Sequence, residues 1–320
     1  MPQAQGSNTK IIYDQEIVYG TTPTPASKVL PFLSESMSQS RPLIRTNVMR
    51  GNRNLTKPTR GNKDVAGNIK TELDPYMGIL LKHLLGVNTD SGAGPYTHTI
   101  KVGALPVSLC IEKQFTDLTQ VEYFLYNGVR IGKGRFDLKS EGYIDFGLDF
   151  VGQKETVATS SFHGSPTDLG HVPFEAYEAT LKEGGSAIAN VSNVKFDVSN
   201  DLDGTNFVIG GSGQRRALPA GKTIVTGSLT ALFEDVTLYT KAANLTESSL
   251  EIILSRGDGL GSAGNESLDI LIPELVYEQK SPPITGPKGV LVDLNFSGFY
   301  DNDGNASSIM MTLKNTMVTL

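Results

Sequence analysis

The sequence predicts a mainly β protein built from two tandem units of the β-sandwich or barrel type, each with one short flanking α-helix. Three observations predict this fold class. The 320 residues include 34 glycines and 16 prolines, which separate many short segments of alternating apolar and polar residues. The same landmark segments occur in both halves in the same order, and each half contains a single short helical pattern. Short alternating segments between turn residues are typical of all-β folds.

The landmark segments define an internal repeat. Three pairs match, at offsets of 150, 160 and 146 residues: 44–48 with 194–198, 61–69 with 221–229, and 148–152 with 294–298. Two diverged copies keep the order of such segments while their loops change length. The alternative is that alternating strands resemble one another by composition alone. The repeat predicts four parts: an N-terminal arm (1–40), a first unit (41–152), a linker (153–173) and a second unit (174–320).

The first unit has a clear order of elements. The polar segment before it, 1–40, is predicted to be an extended arm that packs on a neighbour or stays loose. A long hairpin follows, with strands 43–48 and 64–73 around a polar tip at 50–62. The next predicted strands are 97–102, 107–113, 121–131, 135–139 and 142–152.

Each predicted helix has recognisable end signals. In the first unit, Asp74 suits the N-cap, Pro75 the first helical position and Gly86 the stop, which predicts a helix over 75–85. In the second unit, Glu234 or Asp235 caps a shorter helix that ends near Asn244. The hairpin tip of the second unit, 200–219, is longer and richer in glycine than that of the first.

The alternating strands predict one buried and one polar face. The residues predicted to point inward are Ile144, Phe146, Leu148 and Phe150 in the first unit, and Val292, Leu294 and Phe296 in the second. The residues between them include aspartates and asparagine, so the opposite face is polar. This polar face is either an ordinary solvent-exposed surface or the wall of a water-filled channel.

Charge is distributed unevenly along the chain. Seven basic residues and no acidic one lie between Arg41 and Lys63, while the whole chain has a net charge of −6. A nucleic-acid contact is one interpretation of this basic tip, but the segment lacks aromatic residues for base stacking. Docking of the basic tip on an acidic neighbouring copy explains both signs of charge.

No catalytic, metal or cofactor site is predicted. The four histidines are scattered without a metal-binding spacing, and the single cysteine, Cys110, excludes an internal disulfide and a cysteine-based zinc site. The glycine-rich segment 257–261 fits a hairpin turn better than a nucleotide loop. Segments 201–204 and 301–304 lack the sixth-position glycine and the terminal glutamate of a calcium loop, and they also fit tight turns.

The sequence shows neither a secretion signal nor a membrane-spanning segment, which bears on where the protein is made. The polar N-terminus lacks an apolar signal core, and no segment approaches the roughly 20 apolar residues of a membrane helix. We therefore expect assembly in the cytoplasm and no membrane partner.

Several motifs resemble one known family. The segments Arg-Gly-Asn-Lys-Asp-Val-Ala-Gly at 60–67, Glu-Ile-Val-Tyr-Gly-Thr at 16–21 and Val-Thr-Gly-Ser-Leu-Thr at 225–230 resemble the tail tube proteins of long-tailed bacteriophages. The resemblance extends over nearly the whole chain. It implies a virion structural protein rather than an enzyme, whose inner strands join neighbouring subunits into a ring. Stacked rings then form a hollow tube through which double-stranded DNA passes during ejection without specific binding.

The resemblance also implies partners. Where family members hold two copies of the tube fold, three chains supply six units, so we expect a trimeric ring with pseudo-sixfold symmetry; the alternative is a homohexamer. A tape measure protein and tail terminator and tip proteins are further implied partners, assembly occurs in the host cytoplasm and the product is a virion tail. A β-rich adhesin or carbohydrate-binding virion module is the alternative function, which the absence of Trp weakens.

Two sets of residues carry the implied function. The expected lumen-facing residues are Asn68, Lys70, Glu72, Asp145, Asp149, Ser228, Thr230, Asp293 and Asn295. The expected ring-stacking residues are Arg50, Arg53, Lys57, Arg60, Lys63, Arg215 and Arg216. Aspartates that line the lumen would repel DNA phosphates, so that DNA slides without adhering.

Overall fold

The computed structural model describes residues 3–284, 286–300 and 304–320, and the fold is mainly β. The strands of the first half are β1 (Thr9–Glu16), β2 (Lys28–Val29), β3 (Ser34–Glu35), β4 (Ser38–Ser40), β5 (Leu43–Ile44), β6 (Thr59–Arg60), β7 (Asp64–Glu72), β8 (Gly86–Ser91), β9 (Tyr96–Val102), β10 (Ser108–Phe115), β11 (Glu122–Lys139), β12 (Asp145–Gly152) and β13 (Lys154–Ala158). Those of the second half are β14 (Thr180–Glu183), β15 (Ser186–Ala187), β16 (Val191–Ser199), β17 (Ile224–Leu232), β18 (Ser248–Ser255), β19 (Ser267–Tyr277), β20 (Leu291–Gly298) and β21 (Met310–Asn315). The α-helices in the described residues are α1 (Gly78–Leu85) and α2 (Thr237–Ala243), with short 3-10 turns at Gly6–Asn8 and Ala176–Glu178.

One antiparallel layer runs through both halves of the chain in the order β7, β12, β11, β16, β17, β20. The second half of β11 lies at its centre, with β12 on one side and β16 on the other. The pairing of β11 with β16 extends from Lys133 opposite Ser199 to Lys139 opposite Asn193. A continuous backbone ladder therefore connects the two halves.

The other layer packs on the apolar face of this sheet. The first half of β11 pairs with β10 and β13, and β19 likewise pairs with β18 and β21. The layer also crosses between the halves, because β21 pairs with β9. Together the layers enclose one core.

The two halves use the same strand register in this architecture. In the first half Val65 lies opposite Gly152, and in the second half Val225 lies opposite Gly298. The pairings of β10 with β11 and of β18 with β19 also both shift register, between Leu109 and Ile111 and between Ser248 and Leu250. In each pair of equivalent strands, residues of the first half and their counterparts in the second half are therefore separated by one constant number of positions.

The predicted inward-facing residues of β12 and β20 are buried, as alternation requires. Aromatic rings join the halves inside this core. The ring of Phe136 on β11 stacks on that of Phe196 on β16 at 4.5 Å, and it also contacts the ring of Phe146 at 4.7 Å. Packing of this kind adds to the hydrophobic contribution of each ring.

Helix α1 ends at Leu85 as predicted, and Gly86 after it has a φ of +125°. Its start differs from the prediction, because the helix begins at Gly78 rather than at 75. Asp74 accepts backbone hydrogen bonds from Tyr76 at 2.8 Å and Val172 at 2.6 Å, so it organises the turn before the helix. Before α2, Asp235 accepts the backbone N–H of Thr237 at 2.7 Å, in agreement with its predicted capping role.

The prediction of an extended arm over 1–40 is wrong. Strand β1 pairs along its whole length with β10, and Ile11 and Ile12 are completely buried. Burial of this short apolar group stabilises the segment inside the fold. The predicted linker is also partly a strand, because β13 pairs with β11.

The predicted strand over 43–48 is shorter than expected. Only β5 forms, and it pairs with β6 in a separate two-stranded sheet. On the side of β7 away from β12, the pairing residues are those of β3 and β4: Gln39 lies opposite Val65, as Val198 lies opposite Val225. The segment equivalent to β16 is therefore 34–40, and the predicted equivalence of 44–48 with 194–198 is wrong.

We predict that Phe136→Ala lowers the free energy of unfolding by about 3–5 kcal/mol, because it removes a buried ring that contacts both halves. Chemical denaturation monitored by circular dichroism measures the change. Tyr177→Ala, at a residue that is 70% exposed, is the control and should change stability by no more than about 0.5 kcal/mol. A loss below about 1 kcal/mol for Phe136→Ala would contradict the assigned packing.

Candidate assembly surfaces

The polar face of the continuous sheet contains all nine residues predicted to face a lumen. The register places Asn68 opposite Asp149, Glu72 opposite Asp145, Ser228 opposite Asn295, and Thr230 opposite Asp293. Residues directly opposite one another in an antiparallel pair lie on the same face. These residues therefore share one surface, and that this surface faces a lumen stays a prediction. A concavity of about 430 Å³ lies over this face.

Asp145 and Asp149 are both ion-paired within the chain. Lys139 contacts Asp145 at 2.6 Å, and Arg135 forms an ion pair with Asp149. Further ion pairs connect β11 with β16: Lys133 with Asp197 at 2.6 Å and Lys195 with Asp137 at 3.1 Å. The face is consequently a mosaic of both charges rather than a strongly acidic surface.

The remaining predicted lumen residues are mostly hydrogen-bonded on the same face. The hydroxyl of Thr230 donates to Asp293 at 2.7 Å, and the amide of Asn295 donates to Glu278 at 2.9 Å. Glu72 contacts His171 at 2.7 Å.

A basic arm, defined as residues 41–63, leaves the sheet between β4 and β7. Its side chains at Arg50, Arg53, Lys57 and Arg60 are exposed. Beyond the two-residue pairing of β5 with β6, the arm also exposes apolar residues, among them Met49 at 96%. An exposed segment that combines positive charge with large apolar side chains has the properties of a docking element.

The corresponding loop of the second half is folded onto the protein. Arg215 is buried, donates to the carbonyl oxygens of Gly204 at 2.7 Å and Gly152 at 2.8 Å, and pairs with Asp64. The prediction that Arg215 is a stacking residue is therefore wrong; it anchors the loop within the chain. The neighbouring Arg216 is exposed.

One edge of the polar sheet is formed by β3 and β4, whose described strand pairings are to β7. At this edge both backbone polar groups of Met37, its N–H and its carbonyl, are hydrogen-bonded to side chains. Its carbonyl accepts hydrogen bonds from Tyr126 at 2.9 Å and Lys113 at 3.1 Å, and its N–H donates to Glu35 at 3.0 Å.

The opposite edge lies where β19 ends at Tyr277. The chain continues beside β20, with the N–H of Glu278 donating to the carbonyl of Asn295 at 2.8 Å. Residues 280–284 have no regular secondary structure and include Pro282 and Pro283. Proline cannot donate to a strand ladder and is typical of sheet edges.

The histidines do not converge on a catalytic or metal site. His83 is buried beside Gln15, and burial lowers its pKa to about 3. His98 contacts Asp90 at 2.6 Å, while His163 contacts Ser27 at 2.5 Å. Within residues 3–284, 286–300 and 304–320, no group of three or more histidine, cysteine or acidic residues could hold a metal ion.

The other motifs considered from the sequence also have structural roles. Segment 257–261 forms a turn between β18 and β19, in which Asp258 accepts the N–H of Leu260 at 2.9 Å. Asp203 similarly accepts from Thr205 within segment 201–204. Most of the second aspartate-rich segment, 301–303, lies outside the described residues.

Two further findings concern Cys110 and the membrane. Cys110 is fully buried, and burial raises the pKa of its thiol, so it is an unreactive core residue. None of the described helices has the length and hydrophobicity needed to cross a membrane.

Comparison with known families places the chain among phage proteins. The model of the phage tail tube protein family matches residues 6–298. The chain belongs to the phage tail tube protein family. A search of curated proteins finds no match. The protein is thus a structural component of the bacteriophage virion tail, from a generally non-enzymatic family that forms a tube together with other tail proteins.

Some residues of the tube protein's polar face were missed at the sequence level. Lys133, Arg135 and Lys139 alternate with apolar or small residues, so the signal was present. The glycines at 132 and 134 divided the predicted strand into two, whereas β11 is continuous. Apolar residues at one end of the face, such as Leu232 and Leu291, had no signal apart from their exposure in the fold.

We predict that Arg215→Ala destabilises the tail tube protein by roughly 1–3 kcal/mol, because the carbonyl oxygens that it occupies lose their donor. It should also increase protease cleavage within 200–221. The matched control is Arg216→Ala at the adjacent exposed residue, which should do neither. Equal cleavage rates for the two variants in limited proteolysis would contradict the anchoring role.

Proposed function

We propose that the tail tube protein forms a trimeric ring of pseudo-sixfold symmetry, and that stacked rings form the channel through which DNA leaves the virion. The observation that carries this proposal is the ladder between β11 and β16, which joins two units of matching register inside one chain. The matching register supports descent of both halves from one duplicated unit. A ring needs the same junction to recur between chains.

The two outer edges of the polar sheet support the formation of a junction of this kind between chains. By register, segment 34–40 of the first half corresponds to β16, and the chain after β19 corresponds to the second half of β11. Segment 34–40 of one chain would therefore lie beside residues 278–284 of the next. Closure into a ring removes exposed sheet edges, which otherwise invite uncontrolled pairing.

The seam between chains would contain fewer backbone hydrogen bonds than the junction within a chain. Pro282 and Pro283 cannot donate, and the side chains that bind the backbone of Met37 compete with an added strand. Both features disfavour premature pairing of free subunits. Ring closure would then depend on the cooperative contribution of all three seams.

The mosaic of charges on the polar face supports its role as the channel wall. Cations that are already paired with aspartates contribute little to phosphate binding, and the aspartates limit the approach of a polyanion. Double-stranded DNA would pass without specific binding. The tape measure protein and the tail terminator and tip proteins would be the other partners, with assembly in the host cytoplasm.

The basic arm is proposed as the contact between successive rings. We predict that the triple charge reversal Arg50→Glu, Arg53→Glu, Lys57→Glu permits rings but prevents tube growth, because it reverses the sign of the docking element. Negative-stain microscopy and sedimentation measure tubes and rings. Reversal of two exposed lysines outside the arm, Lys10→Glu and Lys222→Glu, is the control and should leave tube growth intact.

The same experiment also tests whether the unmodified protein assembles. The parent protein must form rings or tubes at high concentration, so a parent that stays monomeric would count against ring assembly. Tubes of normal length from the arm variant would instead count against stacking by the arm alone.

A further inference from the structure

The two ends of the polar sheet differ in charge. The basic arm leaves from one end, beside Asp64 of β7. At the opposite end, which we term the base end, the register brings together Glu72, Asp145, Leu232 and Leu291. Loops around the base end expose an excess of acidic residues, namely Glu141, Glu178, Glu234 and Asp235, against Lys139 and Lys288. The subunit therefore has a basic and an acidic end, as head-to-tail association requires.

A groove of about 200 Å³ lies at the base end of the second half, beside the start of α2. Leu232, Phe233 and Leu238 contribute apolar walls, and Leu232 is 46% exposed. Val236, which is 59% exposed, adjoins these residues in the chain. The acidic side chains of Glu234 and Asp235 are exposed beside it.

Among the described residues of the first half there is no equivalent apolar surface. The register positions of Leu232 and Leu291 are taken there by the charged residues Glu72 and Asp145. Leu73, in the position of Phe233, is fully buried, and its carbonyl accepts the N–H of Phe174 at 2.9 Å. One basic arm and one groove are thus present in each chain.

We propose that this groove receives the basic arm of a second copy of the chain, located in the adjacent ring. The inference rests on the proposed tube function and deepens it by assigning the receptor. The arm provides exposed apolar residues, Val48, Met49 and Leu55, together with cations and no acidic residue. The groove provides an apolar floor beside two carboxylates, so both charge and hydrophobicity are complementary.

The pairing constrains how rings stack. Three arms and three grooves alternate around a pseudo-sixfold ring, since each chain supplies one of each. Successive rings would then dock at three positions, with the first half of one ring opposite the second half of the next. The contact is heterologous, so it propagates along the axis.

A charge-swap experiment tests the groove. Starting from the arm variant with Arg50→Glu, Arg53→Glu and Lys57→Glu, Glu234→Lys with Asp235→Asn should restore tube growth in sedimentation and microscopy. Asparagine at 235 retains the capping hydrogen bond of α2. The control adds the same change in charge to exposed residues at the base end of the first half, through Glu141→Lys with Glu178→Gln, and should leave growth blocked. Rescue by both pairs, by neither, or by the control alone overturns the proposal.

Cross-linking provides an independent measurement with intact arms. Tubes of the Met49→Cys, Val236→Cys variant should give covalent multimers with a bismaleimide, whereas those of Met49→Cys, Tyr143→Cys should give none. The native Cys110 is buried and does not interfere. Tubes that link through Tyr143→Cys but not through Val236→Cys refute the groove while leaving the tube function intact. Failure of the parent protein to form rings or tubes refutes the tube function itself.

Discussion

The ladder between β11 and β16 is the interaction on which the architecture depends. It joins the second half of β11, the last strand that the first half adds to this sheet, to β16, the first strand that the second half adds. The stacked rings of Phe136 and Phe196 fill the core beneath it. Neither half alone could satisfy the backbone groups along this junction. The chain thereby pairs two sheet edges internally, and the proposed ring would need a second pairing of edges between chains.

The halves share register but have diverged at both ends of the sheet. At one end, Arg215 holds the second loop against the first half while the basic arm remains exposed. At the other end, Leu232 and Leu291 replace the charged pair Glu72 and Asp145. In the proposed ring, these differences between the halves would give the subunit a direction and reduce sixfold equivalence to threefold. An assembly with such contacts grows as a polar filament.

Alternation made the polar and buried faces of β7, β12 and β20 predictable, because the side chains of a strand point to opposite faces in turn. The end of α1 was equally predictable from Gly86. Charge pairing was not, because the contact of Lys139 with Asp145 depends on the register between strands. The role of Arg215 depends on carbonyl groups distant in sequence, and the place of β1 in the core depends on its pairing with β10. Contacts between segments distant in sequence could therefore not be predicted from local sequence patterns.

The most direct measurement of the central claim is a cryo-electron microscopy map of the assembled tube, at a resolution that separates strands. The account predicts three chains per ring and one continuous inner sheet, in which segment 34–40 of each chain lies beside residues 278–284 of its neighbour. Six chains per ring, or an inner wall made by other strands, would contradict it.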